Sequence, residues 1–500
     1  MRLIILISFL FLTTLAILTS CSTTPPTTGT LAFDIAFPDT LGTGPVDGRL
    51  LVIMSTDPEM DPLWGPYPDA PLTARNETDW HPGQSRHFDG HDRTIPVSLD
   101  SIPPGTYQVR AILDTNKVDF GFGYAPGNLL SEKQEVTVIA GEKQTVELPL
   151  IKLVPQHEFI ETDRIQEEQI RSQLVSTFTN KDRRLSAAVI LPASYGQDPD
   201  RRYPTVYVIP GWGSGRHDLM WGDFQQKRYG MDGMGEEKVF VFLDHALPEG
   251  FHCFADSDNL GPWGQALVEE FIPYLEERYP LINDPEARLL AGQSSGGWGV
   301  VWLMLNYTEH FGGAWSASPD FVDFRLFGGS LNIYEHDANV YLTTDGELRL
   351  SSRHGDDTVR EAIQRELMTG DGGQIAAFEA IYGPRGEDGE PRPLFDRQTG
   401  AVDPEVALAW ARYDLGLTLK KAWPELGDYL AGRLHIVMSH DDPWLLDEPL
   451  ELLEPELENL GIDVDIRFID RATHNTWSDE IREWVHEGMD DQLEASGLLR

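Results

Sequence analysis

The sequence predicts an α/β domain built on a mostly parallel sheet, preceded by a smaller all-β sandwich. Three observations carry this. Early in the chain, apolar residues recur with period two between Gly and Pro turns, as in Leu31, Phe33, Ile35 and Phe37. Beyond about residue 166 they gather into continuous runs, Ala187–Leu191, Val206–Ile209, Val239–Leu243 and Leu434–Met438, which suit strands buried on both faces. The third is Leu289-Leu290-Ala291, which breaks into Gly292-Gln293-Ser294-Ser295-Gly296 and resumes as Val300–Leu305, a strand, a tight turn and a helix.

Taken in order, residues 1–20 carry one early charge, Arg2, then an almost uninterrupted apolar run from Leu3 to Leu18. A run this short that ends in small residues reads as a secretion signal, not a spanning helix. Its end, Leu18-Thr19-Ser20-Cys21, resembles the bacterial lipoprotein signal. The resemblance implies removal of the signal, a lipid on Cys21, and a place in the cell envelope, at the outer membrane or facing the periplasm. The lipid would be the only contact with a membrane. Residues 21–29 form a polar tether. The only other cysteine is Cys253, so no internal disulfide is expected. A formal charge of −42 argues against nucleic acid and anionic lipid surfaces as partners.

Residues 30–153 read as the sandwich. Tyr107, Val109, Ala111 and Leu113 alternate after Pro103-Pro104-Gly105, and two short runs follow, Val136–Ile139 and Thr145–Leu150. The module looks like the immunoglobulin-like sandwiches that precede some secreted hydrolases. Trp64–Asp92, rich in Pro, His and aromatics, reads as a long loop with a structural role. Residues 154–166 read as a linker and 167–490 as the α/β domain, with a helix over about Gln265–Tyr279. A cap-like insertion spans 316–430, including an amphipathic run, Val359–Met368, and a loop, Gly383–Gly400, loaded with Pro, Gly and charge.

A serine between a buried strand and a helix is placed as a nucleophile, but its hydroxyl needs a base, and the base needs a carboxylate to fix its tautomer. Downstream of Ser294, the strand ending at Met438 leads into Ser439-His440-Asp441-Asp442. The run Val464–Ile469 leads to Arg471-Ala472-Thr473-His474. The roles therefore fall to Ser294, His474 and one of Asp441 and Asp442. The backbone N–H of Ser295, at the helix start, faces the developing oxyanion.

From about Leu174 to Trp484 the chain resembles the esterase family that includes esterase D-like enzymes, feruloyl and acetyl xylan esterases, enterochelin esterases and mycobacterial mycolyltransferases. The matching features are Pro210-Gly211-Trp212 after an early strand, Gly292-Gln293-Ser294-Ser295-Gly296-Gly297, Asp442 four residues past a strand end, and His474 with Trp477 close behind. The resemblance implies an α/β-hydrolase fold and a serine ester hydrolase that forms an acyl-enzyme without a cofactor. It favours Asp442 over Asp441 and makes Trp212 the second oxyanion donor. Short-chain or aromatic acyl esters of carbohydrates or small molecules are the expected substrates. Pro210 stands where many members have His, and Ala472-Thr473 where they have Gly-Gly, so the substrate class stays open. Two other readings fit the same fold, a catalytically silent surface binding protein and a serine peptidase or acyltransferase. His245, His252, Asp256 and Asp258 are spaced too irregularly for a metal site, and none is expected.

Overall fold

Alternating burial organises the N-terminal unit. In β1 (Thr30–Ala36), Leu31, Phe33 and Ile35 are fully buried, which turns one face of the strand to a core. The unit continues with β2 (Val46–Ser55), β3 (Leu72–Trp80), β4 (Ser85–Phe88), β5 (Thr94–Ile95), β6 (Gly105–Asp114), β7 (Leu129–Ser131), β8 (Gln134–Val138), β9 (Lys143–Glu147) and β10 (Leu150–Leu153). One sheet runs β4-β1-β9; the other runs β10-β7-β6-β2-β3-β5, with β8 joined to β6. Phe33, Phe37, Trp80, Phe88, Tyr107 and Leu113 fill the space between them. The structure, a computed structural model, describes residues 28–499 other than 43, 66–69, 120, 221, 371 and 472. The expected signal and Cys21 lie outside the described residues.

The sandwich differs from expectation in two ways. Pairing is not purely antiparallel, since β1 and β9 run parallel. Trp64–Asp92 is not one long loop, because β3 and β4 lie within it, with Trp80 and Phe88 fully buried. Its polar appearance comes from Glu77, which accepts from Nε of both Arg75 and Arg86 at 2.6 Å. Arg75 and Glu77 sit on β3, where Leu72, Thr73, Ala74 and Trp80 are buried and Asn76, Thr78 and Asp79 are exposed, and Arg86 reaches across from β4.

The second unit opens with β11 (Ile165–Arg171), which begins inside the stretch expected as linker. It continues through β12 (Arg184–Ile190), β13 (Thr205–Ile209), β14 (Val239–Leu243), the short hairpins β15 (Ala246–Leu247) with β16 (Gly250–Phe251) and β17 (Asp256–Ser257) with β18 (Gly261–Pro262), then β19 (Arg288–Gln293), β20 (Gly313–Ala317), β21 (Leu434–Ser439) and β22 (Asp465–Ile469). Eight of these form one sheet in the order β11-β12-β14-β13-β19-β20-β21-β22. β11, β12 and β14 pair antiparallel, and every pairing from β14 to β22 is parallel. This is the α/β-hydrolase arrangement, and its central strands β13, β14 and β19 are buried as their apolar runs predict, while β22 at the edge is half-exposed.

Helices cover both faces: α1 (Gln173–Thr179), α2 (Phe224–Arg228), α3 (Trp263–Ala266), α4 (Ile272–Arg278), α5 (Ser295–Asn306), α6 (Val359–Thr369), α7 (Gly373–Tyr382), α8 (Pro404–Trp410), α9 (Leu415–Leu430), α10 (Asp447–Leu460) and α11 (Asp479–Ala495). The helix expected over Gln265–Tyr279 is α3 and α4 joined by a π-helical turn, Leu267–Phe271. The insertion expected over 316–430 is narrower at its start, because Ser316 and Ala317 belong to β20 and pair with Gly292 and Gln293. The α/β unit runs past the expected end at 490, since α11 buries Leu493.

The insertion holds α6 to α9, and α6 fastens it to the sandwich. Met368 is fully buried in a cluster with Leu51, Ile53, Leu72, Ala74, Ile112 and Leu130 of the outer sandwich face. Arg49 of β2 donates from Nε and Nη2 to the Met368 carbonyl at 3.1 and 3.0 Å. A helix leaves its last carbonyls unpaired, and a cation there is favourable. The sandwich thus supplies the cap of a helix that belongs to the other unit.

Candidate active site

The nucleophile elbow follows from close approach. A Cβ on Gly296 would lie 2.0 Å from the Ile209 carbonyl oxygen, and one on Gly292 would lie 2.3 Å from that of Gly296. Only glycine lets β19, β13 and the start of α5 pack so tightly. Between them Ser294 sits at φ 58°, ψ −124°, a conformation a non-glycine residue holds only when its surroundings impose it. Its N–H donates to Ala317 O at 2.9 Å, which ties the elbow to β20. As the residue before α5, it sits where the helix's unpaired N–H groups begin, with that of Ser295 first.

Asp442 and His474 come together across the ends of β21 and β22. His474 Nδ1 lies 2.9 Å from Asp442 Oδ2, and Asp442 is fully buried while also accepting from the Trp444 N–H at 2.8 Å. Asp441 turns away: its side chain is 68 % exposed, and its nearest cation, Arg353, is 4.0 Å off. The histidine loop is held from beneath by Gln293, whose Nε2 donates to His474 O at 3.1 Å and whose Oε1 accepts from Trp477 Nε1 at 3.0 Å. Thus the residue before the nucleophile also positions the base.

Trp212 lies in the loop after β13. A Cβ on Gly211 would stand 3.3 Å from Ser294 Cβ, so this loop abuts the nucleophile, and the Trp212 ring meets Phe251 edge-on at 5.0 Å. Below it, His245 is buried and pushed down to about pKa 4 by that burial. The neutral ring donates from Nε2 to Gly211 O at 3.3 Å.

One residue of the site is not singled out in the sequence analysis. Asp320, three residues past β20, is 4 % exposed, and burial pushes its carboxyl up to about 6. Ser294 Oγ donates to its Oδ1 at 3.2 Å and Ser295 Oγ to its Oδ2 at 2.7 Å. Its own N–H donates to Ser294 O at 3.1 Å. Ser294, Asp320 and His474 line a cavity of about 1130 Å³ to which the insertion contributes Phe327 and Phe378 and the sandwich contributes Phe122.

The His245 to Asp258 group serves the loops. His252 stacks on Trp263 at 3.8 Å, Asp256 accepts from the N–H groups of Gly264 and Gln265, and Asp258 pairs with Arg412 at 3.0 Å. Among the described residues, no three His, Cys, Asp or Glu side chains are grouped to hold a metal ion.

Residues 178–326 match the model of the family described as "Putative esterase". Two curated relatives, Esterase MT1326 and Esterase Rv1288 of Mycobacterium tuberculosis, are each 27% identical over 142 residues, 28% of this chain. The matched stretch spans 30% of each relative's length. Among solved structures, a ferulic acid esterase aligns over 66% of this chain and 98% of its own with 14% identity and a TM-score of 0.40. The fluorophosphonate-binding serine hydrolase FphF of Staphylococcus aureus aligns over 65% and 97% with 15% identity and a TM-score of 0.41. The segment that is similar to this family includes the Trp212 loop, the Ser294 elbow and Asp320.

Proposed function

We propose that this chain is a serine carboxylic-ester hydrolase that works through an acyl-enzyme on Ser294. The observation that carries this is the 2.9 Å pairing of His474 with a fully buried Asp442, in one cavity with a serine held at positive φ. In this reading Ser294 Oγ bonds to the ester carbon as its proton passes to His474 Nε2. Asp442 fixes the tautomer and stabilises the imidazolium. The N–H groups of Ser295 and Trp212 meet the oxyanion. Collapse of the intermediate breaks the bond to the alcohol oxygen, which takes the proton from His474, and water then repeats the sequence to release the acid.

The roomy cleft and its aromatic lining support short-chain or aromatic acyl esters of carbohydrates or small molecules as substrates. A fluorophosphonate probe tests the core of the reading: wild type is expected to label and Ser294→Ala is not. Equal labelling of the two, or none of wild type, would overturn it and favour a silent binding protein. Robust cleavage of peptide amides in a panel beside acetyl, feruloyl and longer acyl esters would move the assignment to a peptidase.

The proposal extends to placement. Leu3–Cys21 supports a chain held in the cell envelope by a lipid on Cys21. Mass spectrometry of the mature N-terminal peptide is expected to find Cys21 first and lipid-modified; an unmodified Cys21 inside a longer peptide would refute this. The grip of Arg49 and Met368 supports a positioning role for the sandwich, which we assign to the immunoglobulin-like class.

A further inference from the structure

Acylation changes what surrounds Asp320. In the free protein its buried carboxylate is served by three donors, the hydroxyls of Ser294 and Ser295 and, at 3.4 Å, Nε2 of Gln374 on α7. When Ser294 Oγ bonds to an acyl carbon, its proton leaves through His474 with the departing alcohol. Oδ1 of Asp320 then faces an ester oxygen that has no hydrogen to give. A buried carboxylate that loses a donor is destabilised, and more so than a neutral acceptor would be. The acyl chain now lies beside the same oxygen. Phe378, four residues after Gln374 on α7, and Phe327, 6.1 Å from Phe378 between ring centres, line the same cavity and offer apolar surface.

We propose that Asp320 selects the acyl half of the substrate, accepting a hydrogen bond from a hydroxyl or ammonium group on the carbon next to the ester carbonyl. The substrates are then esters of hydroxy or amino acids, in preference to plain acyl esters. This deepens the hydrolase reading and rests on it. The restored donor offsets the one that acylation removes, so the gain appears in the acyl-enzyme and the transition states that flank it. Interactions made only there accelerate the reaction. Sites that use a polar group to hold a substrate hydroxyl discriminate strongly against the analogue that lacks it.

The test compares kcat/KM at pH 7.5 for phenyl esters of hydroxyacetic acid, glycine and methoxyacetic acid, each divided by its uncatalysed hydrolysis rate. Methoxyacetate keeps the electron-withdrawing oxygen but has no hydrogen to donate. Wild type is expected to favour the hydroxyacetate over the methoxyacetate by about tenfold or more. Asp320→Ala should bring that ratio to within about twofold. Asp320→Asn, which accepts but carries no charge, should keep a preference for the hydroxyl and lose the one for the ammonium. A wild-type ratio near one, or a preference that survives Asp320→Ala, overturns the proposal. Because the ratio compares two substrates on one enzyme, a merely structural loss would lower both rates and leave it unmoved. Turnover of every ester without a preference refutes only this inference; no turnover and no fluorophosphonate labelling of wild type refutes the hydrolase reading as well.

Discussion

The two walls of the cleft are built in different ways. The inner wall is the carboxyl edge of the parallel sheet, where Ser294, Asp442 and His474 each lie within a few residues of a strand end. The outer wall is assembled from the 318–433 insertion and from Phe122 of the sandwich, and it is held by contacts such as Arg49 to the last carbonyls of α6. Backbone geometry fixes the first. Side-chain packing between remote segments fixes the second. Chemistry and selectivity should therefore respond to different substitutions.

Four substitutions would sharpen or break that division, taken from the largest expected effect. On the inner wall, Asp442→Asn should lower kcat by about 10⁴ by leaving His474 in the wrong tautomer. Asp441→Asn, beside it in sequence but turned to solvent, should stay within about twofold; equal losses in steady-state assays would dissolve the distinction between them. Gly296→Ala forces a methyl against the Ile209 and Pro210 carbonyl oxygens, at 2.0 and 2.4 Å, and should cost about 4 kcal/mol or more in denaturant unfolding. On the outer wall, Met368→Ala opens a cavity in a buried apolar cluster and should cost about 2–4 kcal/mol. It should also raise KM for esters with bulky alcohols while turnover of phenyl acetate holds. If phenyl acetate turnover falls in step, the walls are not separable.

The smallest effect concerns pH. The folded pKa of His245, about 4, lies below the ordinary value of about 6.5. Burying it neutral therefore favours folding above pH 6.5, and that contribution fades as pH falls from 6.5 towards 4. Between those limits, the melting temperature of His245→Gln should decline less steeply than that of wild type. A parallel decline would mean that the imidazole under Gly211 is not kept neutral by burial.

This difference also decides what could be read from the sequence. The inner wall was legible because Ser294 and Asp442 follow apolar runs that read as buried strands, because His474 follows the alternating run Val464–Ile469, and because Gly292 and Gly296 mark the close approach around Ser294. β20 was missed because Gly-Ala-Trp-Ser-Ala is short and poor in branched residues, although Trp315 is buried and stacks on His435 at 4.8 Å. β11 was missed because Ile-Gln-Glu-Glu-Gln-Ile-Arg looks exposed; Glu168 is buried there by accepting from Tyr274, Tyr279 and Arg278. Missing β20 hid Asp320 as well, since its one signal is a carboxylate at the end of the strand next to the nucleophile. The grip of Arg49 on α6 had no local signal at all, for its partners lie more than 300 residues away.

That grip bears on how such a protein can be taken apart and recombined. Modules joined by a loose tether can be exchanged, but the Met368 face of α6 was shaped against Leu51, Ile53, Ile112 and Leu130. An α/β unit cut free at residue 165 would carry an uncovered apolar spot and lose the Arg49 cation from a helix end next to its own cleft. Any new N-terminal module grafted onto it has to bring a matching apolar patch and a cation in the place of Arg49. The boundary drawn by the chain is therefore not the boundary at which the parts can be swapped.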